Sequence, residues 1–420
     1  MGLPRLRRQH GAGKVAARRN GRARIRAAFS VHTRPKPAVT TPPEPPVAEN
    51  IDARFMALAL ALGRRGLGNT WPNPAVGAVV VRFDGGAPRL VGRGWTQPGG
   101  RPHAEPVALR RAGDLARGAT LYVTLEPCSH HGKSPPCADA IIAAGIARVV
   151  SAIEDPNPLV AGQGHARLIA AGIAVEVGVG AAEAVAAHAG HIRKVRDGRP
   201  HVMLKLAVSA DGKVAAAGRR PVAITAPAAN ARVHLMRAMT DAILIGIGTA
   251  LADDPVLTCR LPGLFSRSPV RVVLDAGLRL PATSRLVRTA RETPLWVMAA
   301  PDAPADAEAR LTAAGAEVLR VPASLDGPGL DLPAVLQALA GRGITRLMVE
   351  GGPTVASALL RADLVDEAVL IHGPAVIGPD GIDALAGLPL AALTAAPSLV
   401  LRETVMLGPD RLDAYARPSG

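Results

Sequence analysis

Two successive α/β domains are predicted, and three features of the sequence carry that expectation. The chain has 420 residues, enough for two cores of ordinary size. From about residue 51 onward, helical and strand patterns alternate, the order that lays helices on both faces of a mostly parallel sheet. Short apolar runs such as AVGAVVVR (75–82) and DAILIGIG (241–248) are bounded by Pro, Gly or Asp, as strands buried on both faces are. The chain holds only four Phe, three Trp and two Tyr, so Ala and short aliphatics must fill the cores. So few rings also argue against a stacking platform for single-stranded nucleic acid.

In the first domain, residues 52–64 (DARFMALALALGR) read as a helix with one apolar face. Strands are expected at 75–82, 119–126, 147–154 and 173–179, and helices at 104–112, 137–144, 161–171 and 181–196. The result is a three-layer domain over 51–197, with its last helix joining the two halves. Gly198-Arg199-Pro200 marks the start of a second domain, 198–420. Strands are expected there at 201–209, 241–248, 270–276, 294–299, 316–322, 346–352 and 367–373, with helices at 228–239, 304–314, 331–340 and 353–361. The charge-free tract from Ala384 to Leu401 contains Pro389 and Pro397 and reads as loops and short elements, not a membrane span.

The net charge of +15 is concentrated at one end. Residues 1–50 hold eleven Lys/Arg against two acids, a surplus of nine; the other 370 residues carry a surplus of only six. This segment is Arg-rich, then Pro-rich, without apolar periodicity, and is expected to be a disordered extension. A transit peptide, a nucleic-acid-binding arm and an upstream stretch without a role all fit it. Three cysteines in 420 residues exclude a disulfide scaffold and suit a reducing compartment, so a cytoplasmic location is expected.

The sharpest chemical signal is His103-Ala104-Glu105 followed by Pro127-Cys128 and Cys137. One imidazole and two thiolates make three ligands of a tetrahedral zinc site whose fourth position is open, the catalytic arrangement. Glu105, two residues past the histidine, stands where a proton must pass between a zinc-activated water and a leaving amine. A histidine and two cysteines in a long chain are more often ordinary core residues. Here the histidine opens a predicted helix, the first cysteine follows a strand, and the glutamate is in place. Eight residues, SHHGKSPP, separate the cysteines and read as a substrate-facing loop; His130 and His131 within it are alternative ligands or substrate contacts. Cys259 lies in the other half without a partner cysteine and reads as an ordinary thiol. In the second domain, Gly351-Gly352 stands between a strand and a helix, a turn that lets backbone N–H groups approach a phosphate.

At these residues the chain resembles a family. PHAE (102–105), TLEPCSHHGKSPPC (124–137) and EDPNPLVAGQG (154–164) are similar to the bifunctional deaminase–reductase of riboflavin biosynthesis. So are WPNPAVGAVV (71–80), LADDPVLTCR (251–260) and VEGGPTVASALL (349–360), and the likeness runs over about 51–415. It implies a cytidine-deaminase-like three-layer domain followed by a dihydrofolate-reductase-like α/β domain. The implied reactions are two. The 2-amino group of 2,5-diamino-6-ribosylamino-4(3H)-pyrimidinone 5′-phosphate leaves as ammonia, and NADPH then reduces the ribosyl side chain to ribityl.

The resemblance puts the zinc ligands on His103, Cys128 and Cys137, the proton shuttle on Glu105, and a pyrimidine contact on Asn73. It puts NADP contacts on Ala207 (through its backbone), Thr249, Asp253 and the run Gly352, Pro353, Thr354, Val355, Ala356, Ser357 and Ala358. Substrate contacts fall on Arg237, Leu257, Arg260 and Glu350; an arginine fork suits the 5′-phosphate. The chain departs from the family at Ala210, Pro221 and Ala223, where Leu, Ser and Trp are usual, and at Pro106-Val107. The missing aromatic wall puts the reductase step, not the zinc chemistry, in question. The expected partner is a small phosphorylated molecule, with no nucleic acid and no membrane; a homo-oligomer is compatible with the sequence. The competing readings are a working deaminase beside a weakened reductase, a zinc deaminase of nucleobases or tRNA, and a zinc-stabilised scaffold without activity.

Overall fold

A computed structural model describes residues 50–418 apart from 133, 159, 221, 326 and 328. The basic extension expected over 1–50 therefore lies outside the described residues save Asn50, and so does Pro221. Asn50 caps helix α1 (Ile51–Arg64): its side-chain oxygen accepts the N–H groups of Asp52 and Ala53 at 3.1 and 3.4 Å. The first half continues with β1 (Gly77–Arg82), β2 (Arg89–Trp95), α2 (Ala104–Ala112), β3 (Thr120–Val123), α3 (Cys137–Ala143), β4 (Arg148–Ser151), α4 (Gln163–Ala170) and β5 (Ala174–Val177). Its five strands lie in the order β2-β1-β3-β4-β5, antiparallel through β3 and parallel beyond it. Residues of α2, α3 and α4 fill the core on one face, and those of α1 fill the other, the three layers expected.

Strand β2 was not expected, because Gly92 and Gly94 interrupt its apolar pattern. Those glycines have a packing reason. A β-carbon on Gly94 would sit 2.2 Å from the Ala104 carbonyl oxygen, and one on Gly92 2.3 Å from that of Ala108. Their absence lets α2 lie with its backbone against the sheet, and α2 carries Glu105.

The single helix expected over 181–196 is two helices, α5 (Ala181–Ala187) and α6 (Ala189–Asp197). The break falls at His188, whose buried ring turns inward to place Nε2 3.0 Å from the Thr124 hydroxyl. The carbonyls of Ala186 and Ala187, freed at the end of α5, each accept from the Arg346 guanidinium at 2.9 Å. This joining segment is therefore bonded to both halves.

The second half comprises β6 (His201–Val208), β7 (Lys213–Ala215), α7 (Pro227–Ala238), β8 (Ala242–Gly246), α8 (Ile247–Asp253), β9 (Val270–Leu274), α9 (Arg285–Arg288), β10 (Leu295–Ala299) and α10 (Ala305–Ala313). Then come β11 (Glu317–Arg320), α11 (Leu332–Gly341), β12 (Arg346–Val349), α12 (Pro353–Arg361), β13 (Glu367–His372), β14 (Ile382–Asp383), α13 (Ala391–Thr394), β15 (Val400–Leu407) and β16 (Asp410–Ala416). Nine strands form one sheet, ordered β11-β10-β9-β8-β12-β6-β13-β16-β15. It is parallel up to β13 and ends in the antiparallel β15–β16 hairpin. The seven parallel strands match expected ones. The hairpin was not foreseen, because β15 is an edge strand exposed along most of its length. The tract 384–401 holds α13 and the start of β15 among loops. No helix among the described residues is long and apolar enough to cross a membrane.

Asp366 ties the joining segment to this sheet. Its buried carboxylate accepts a two-pronged bond from Arg199 at 2.6 and 2.9 Å, the Val202 N–H at 2.9 Å, and an ion pair with Arg193 of α6 at 2.9 Å. Burial would raise the Asp366 pKa, but the Arg199 bonds prevail and hold it below the ordinary carboxylate value. The stability this carboxylate adds is thus complete above its unfolded pKa of about 3.9 and is lost as pH falls through the lower folded value. Asp366→Ala should cost about 3 kcal/mol, read as a lowered urea midpoint at neutral pH, because it leaves the mostly buried Arg199 without its carboxylate. The difference from the parent should shrink below about pH 4.

Candidate active sites

The first site is assembled where three elements end. His103 is the N-cap of α2, reached through the cis Arg101–Pro102 peptide, and Glu105 lies in the first turn. Cys128 follows β3 through Thr124–Pro127, and Cys137 is the first residue of α3. The His103 Nδ1 atom lies 3.3 Å from Cys137 Sγ and 3.8 Å from Cys128 Sγ, and the three donor atoms fall within 4.8 Å of one another. The Cys137 N–H donates to Cys128 Sγ at 3.3 Å, so the start of α3 helps to carry negative charge on that sulfur. The Cys128 thiol is pulled down to about 4, chiefly by a hydrogen bond from the Cys137 thiol, with His103 adding to it. The same bond, with burial, pushes Cys137 far up. A cation at this point would be bound by a ring nitrogen and two thiolates. That donor set fits zinc.

Glu105 is buried beside this cluster, and burial pushes its carboxyl above the ordinary value. Asn73, in the turn after the cis Trp71–Pro72 peptide, donates its amide to the Gly100 carbonyl at 2.9 Å. The same amide nitrogen lies 3.4 Å from His103 Nε2. With its nitrogen committed to these two contacts, the Asn73 side chain has only its carbonyl oxygen still to place. The Asn73 amide oxygen is thereby left to another partner.

The second site is a cleft of about 720 Å³ at the carboxyl ends of the parallel strands. Ala207, Thr249, Asp253, Glu350 and Gly352 to Val355 all line it. The α12 N-terminus opens into it: Gly352 is the N-cap, with Pro353 at the first helical position, where its missing N–H is no loss. A β-carbon on Gly352 would lie 2.7 Å from the Thr249 hydroxyl, so only glycine leaves that turn open to a phosphate. Ala356 and Ser357 have side chains buried in the core, so whatever they offer a cofactor is backbone. Ala223, at the position of the missing aromatic, lines the cleft between Val222 and Ile224.

The two predicted phosphate arginines differ. Arg237 is held by Glu350 in a two-pronged ion pair at 2.6 and 2.8 Å and by the Thr258 carbonyl at 3.1 Å, so its fork is occupied. Arg260 is exposed, has no carboxylate partner among the described residues, and is disfavoured as a cation first by partial burial and then by repulsion from Arg237 and Arg285. Among the predicted arginines it is the one free for an anion. Leu257 is buried and has a left-handed backbone (φ 59°).

The comparisons with known proteins follow this division. Residues 49–153 match the cytidine and deoxycytidylate deaminase zinc-binding region, and residues 200–409 match the RibD C-terminal domain. The riboflavin biosynthesis protein RibD of Escherichia coli is 42% identical over 372 residues, covering 86% of this chain and 97% of its own. The chain belongs to the RibD family. The RibD of Bacillus amyloliquefaciens is 41% identical, over 85% of this chain and 94% of that protein. Among solved structures, Acinetobacter baumannii RibD superimposes with a TM-score of 0.77 at 35% identity, over 88% of this chain and 99% of that one. A deaminase/reductase from Thermotoga maritima gives 0.74 at 34%, over 88% and 99%. As a RibD-family member, the protein is a bifunctional enzyme of riboflavin biosynthesis, with a zinc deaminase half and an NADPH-dependent reductase half. The nucleobase deaminase and scaffold readings fall with this assignment.

Three residues that sequence reasoning missed shape these RibD-type sites. The buried Glu126 carboxylate accepts N–H bonds from Asp155, Gly162 and Gly164 at 2.7–3.0 Å, and so pins the 154–164 loop beside Cys128. Nothing local in the sequence announces those partners. Thr124 holds the Gly77 N–H at 3.1 Å and meets His188. Lys205 lines the reductase cleft with its ammonium 4.0 Å from Glu350, and burial lowers its pKa. A single lysine inside the apolar strand HVMLKLAV was the signal that could have found it. Cys128→Ser should lower zinc affinity by more than roughly 100-fold, since even groups that only orient a ligand cost 10–100-fold. Metal analysis of the purified variant checks this, and full zinc occupancy would remove Cys128 from the ligand set.

Proposed function

We propose that residues 51–197 deaminate 2,5-diamino-6-ribosylamino-4(3H)-pyrimidinone 5′-phosphate and that residues 198–420 reduce the ribosyl chain of the product. The Thermotoga maritima relative is a diaminohydroxyphosphoribosylaminopyrimidine deaminase and 5-amino-6-(5-phosphoribosylamino)uracil reductase, and its two activities support this substrate pair. The observation that carries the reading is the buried Glu105 beside the His103–Cys128–Cys137 cluster, on the chain that also holds the glycine-lined cleft.

His103, Cys128 and Cys137 hold the zinc, which when bound supplies a water acidic enough to act as nucleophile near neutral pH. Glu105 takes up a proton and delivers it to the departing amino nitrogen; its raised pKa suits a group that must both accept and donate. Asn73 offers its amide oxygen to the pyrimidine edge. In the other half the α12 N-terminus would hold the phosphates of NADPH, with further contacts at Ala207, Thr249 and Asp253, and the bound cofactor would supply hydride. Glu350, kept ionised by Arg237 and Lys205 against burial, faces the ribosyl hydroxyls, and Arg260 takes the 5′-phosphate. The partner is then a small phosphorylated substrate and not nucleic acid. Three cysteines without disulfides, two of them at the metal cluster, suit a cytoplasmic setting.

Purified protein given the diaminopyrimidine ribosyl phosphate should release ammonia without NADPH, and oxidise NADPH once the first product forms. Glu105→Gln should keep its zinc and lose about 10²–10⁴-fold in ammonia release. Glu350→Gln should raise KM in the NADPH-linked step and leave ammonia release unchanged. Normal turnover in either variant would remove that residue from its proposed role.

A further inference from the structure

The loop that carries Asn73 is held from outside its own domain. The Arg267 guanidinium donates to the Leu67 carbonyl at 2.5 Å. The Trp71 ring meets Trp296 of β10 edge-on, with centroids 6.4 Å apart and planes at 85°, and the Arg342 guanidinium lies 5.4 Å over the Trp296 ring. The turn at Gly343 lies against Pro72 and Trp71. These four groups (Arg267, Trp296, Arg342 and Gly343) all belong to the reductase half.

Inside the loop, short bonds carry that support to the pocket. The Asn73 N–H donates to the Thr70 carbonyl at 3.0 Å, and the Thr70 hydroxyl donates to the Asn73 carbonyl at 3.1 Å. The Asn69 carbonyl accepts the Gly99 N–H at 2.9 Å, and Asn73 in turn bonds Gly100. The turn at 99–100 runs directly into Arg101-Pro102-His103. A segment with Gly66, Gly68, Pro72 and Pro74 has few side chains with which to hold itself. Anchors on the opposite half add to its bonds with Gly99 and Gly100.

We infer that Trp296 and Arg267 of the reductase half are positioning residues for the deaminase pocket, acting through the 67–73 loop on Asn73. The inference rests on the reading of Asn73 as a substrate contact. Neither residue touches the metal cluster, so neither should alter zinc content. Trp296 does not line the reductase cleft, so its replacement should spare the second reaction.

The test compares Trp296→Leu, Trp296→Phe, Arg267→Met and Asn73→Ala with the parent full-length zinc enzyme. It measures zinc content, KM and kcat for ammonia release, and NADPH oxidation with pre-formed deaminated substrate. Trp296→Leu and Arg267→Met should each raise the deaminase KM about tenfold, because small displacements of a positioning group are costly, with kcat and zinc nearly unchanged. Trp296→Phe should recover most of the loss. Reductase turnover of Trp296→Leu, expected within about twofold of the parent, is the control for folding. If both activities of Trp296→Leu fall together, or if its deaminase KM is unmoved while Asn73→Ala raises it, the inference is wrong. If Asn73→Ala itself changes nothing, the reading of Asn73 fails and the route proposed through it fails too.

Discussion

Two sulfurs and an imidazole nitrogen that meet within 4.8 Å put their lone pairs in competition. Cys137 is fixed as the first residue of α3 and Cys128 by the turn that Glu126 holds, while His103 is fixed as the cap of α2. A divalent cation relieves that competition, which is why the cluster is better understood as a metal site than as a packing motif. Much of the first domain serves this convergence. Gly92 and Gly94 bring α2 onto the sheet backbone to backbone, and the buried Glu126 carboxylate takes up N–H groups that the 154–164 loop cannot satisfy by itself.

The second constraint is the way the halves interlock. Arg346 caps the end of α5, His188 reaches from the same break to Thr124, and Asp366 gathers Arg193 and Arg199. Thr124 lies four residues before Cys128, and Arg346 four before Glu350. The joining segment is thus bonded close to both sites. Each half retains a core of its own, so the interlock adds registration more than burial.

What could be read from the sequence was whatever chemistry concentrates in neighbouring residues. His103-x-Glu105 and Pro127-Cys128 are legible because a helix start and a tight turn place their side chains locally. The parallel strands are legible because burial on both faces writes an apolar run. Strand β2 was lost because its glycines serve helix packing, β15 because an exposed edge has no apolar pattern, and the division at His188 because its cause is a bond to Thr124, 64 positions away. The pairing of Arg237 with Glu350 spans 113 positions, so the sequence could name both residues without revealing that one occupies the other. Lys205 is a charge inside an apolar strand that went unread, because its facing direction depends on the sheet.

Zinc K-edge absorption on the purified full-length protein tests the central claim most directly. One zinc per chain, bound through two sulfur donors and one imidazole nitrogen, is the expected result. A site with three or four sulfur donors, or an active deaminase that carries no metal, would contradict the account.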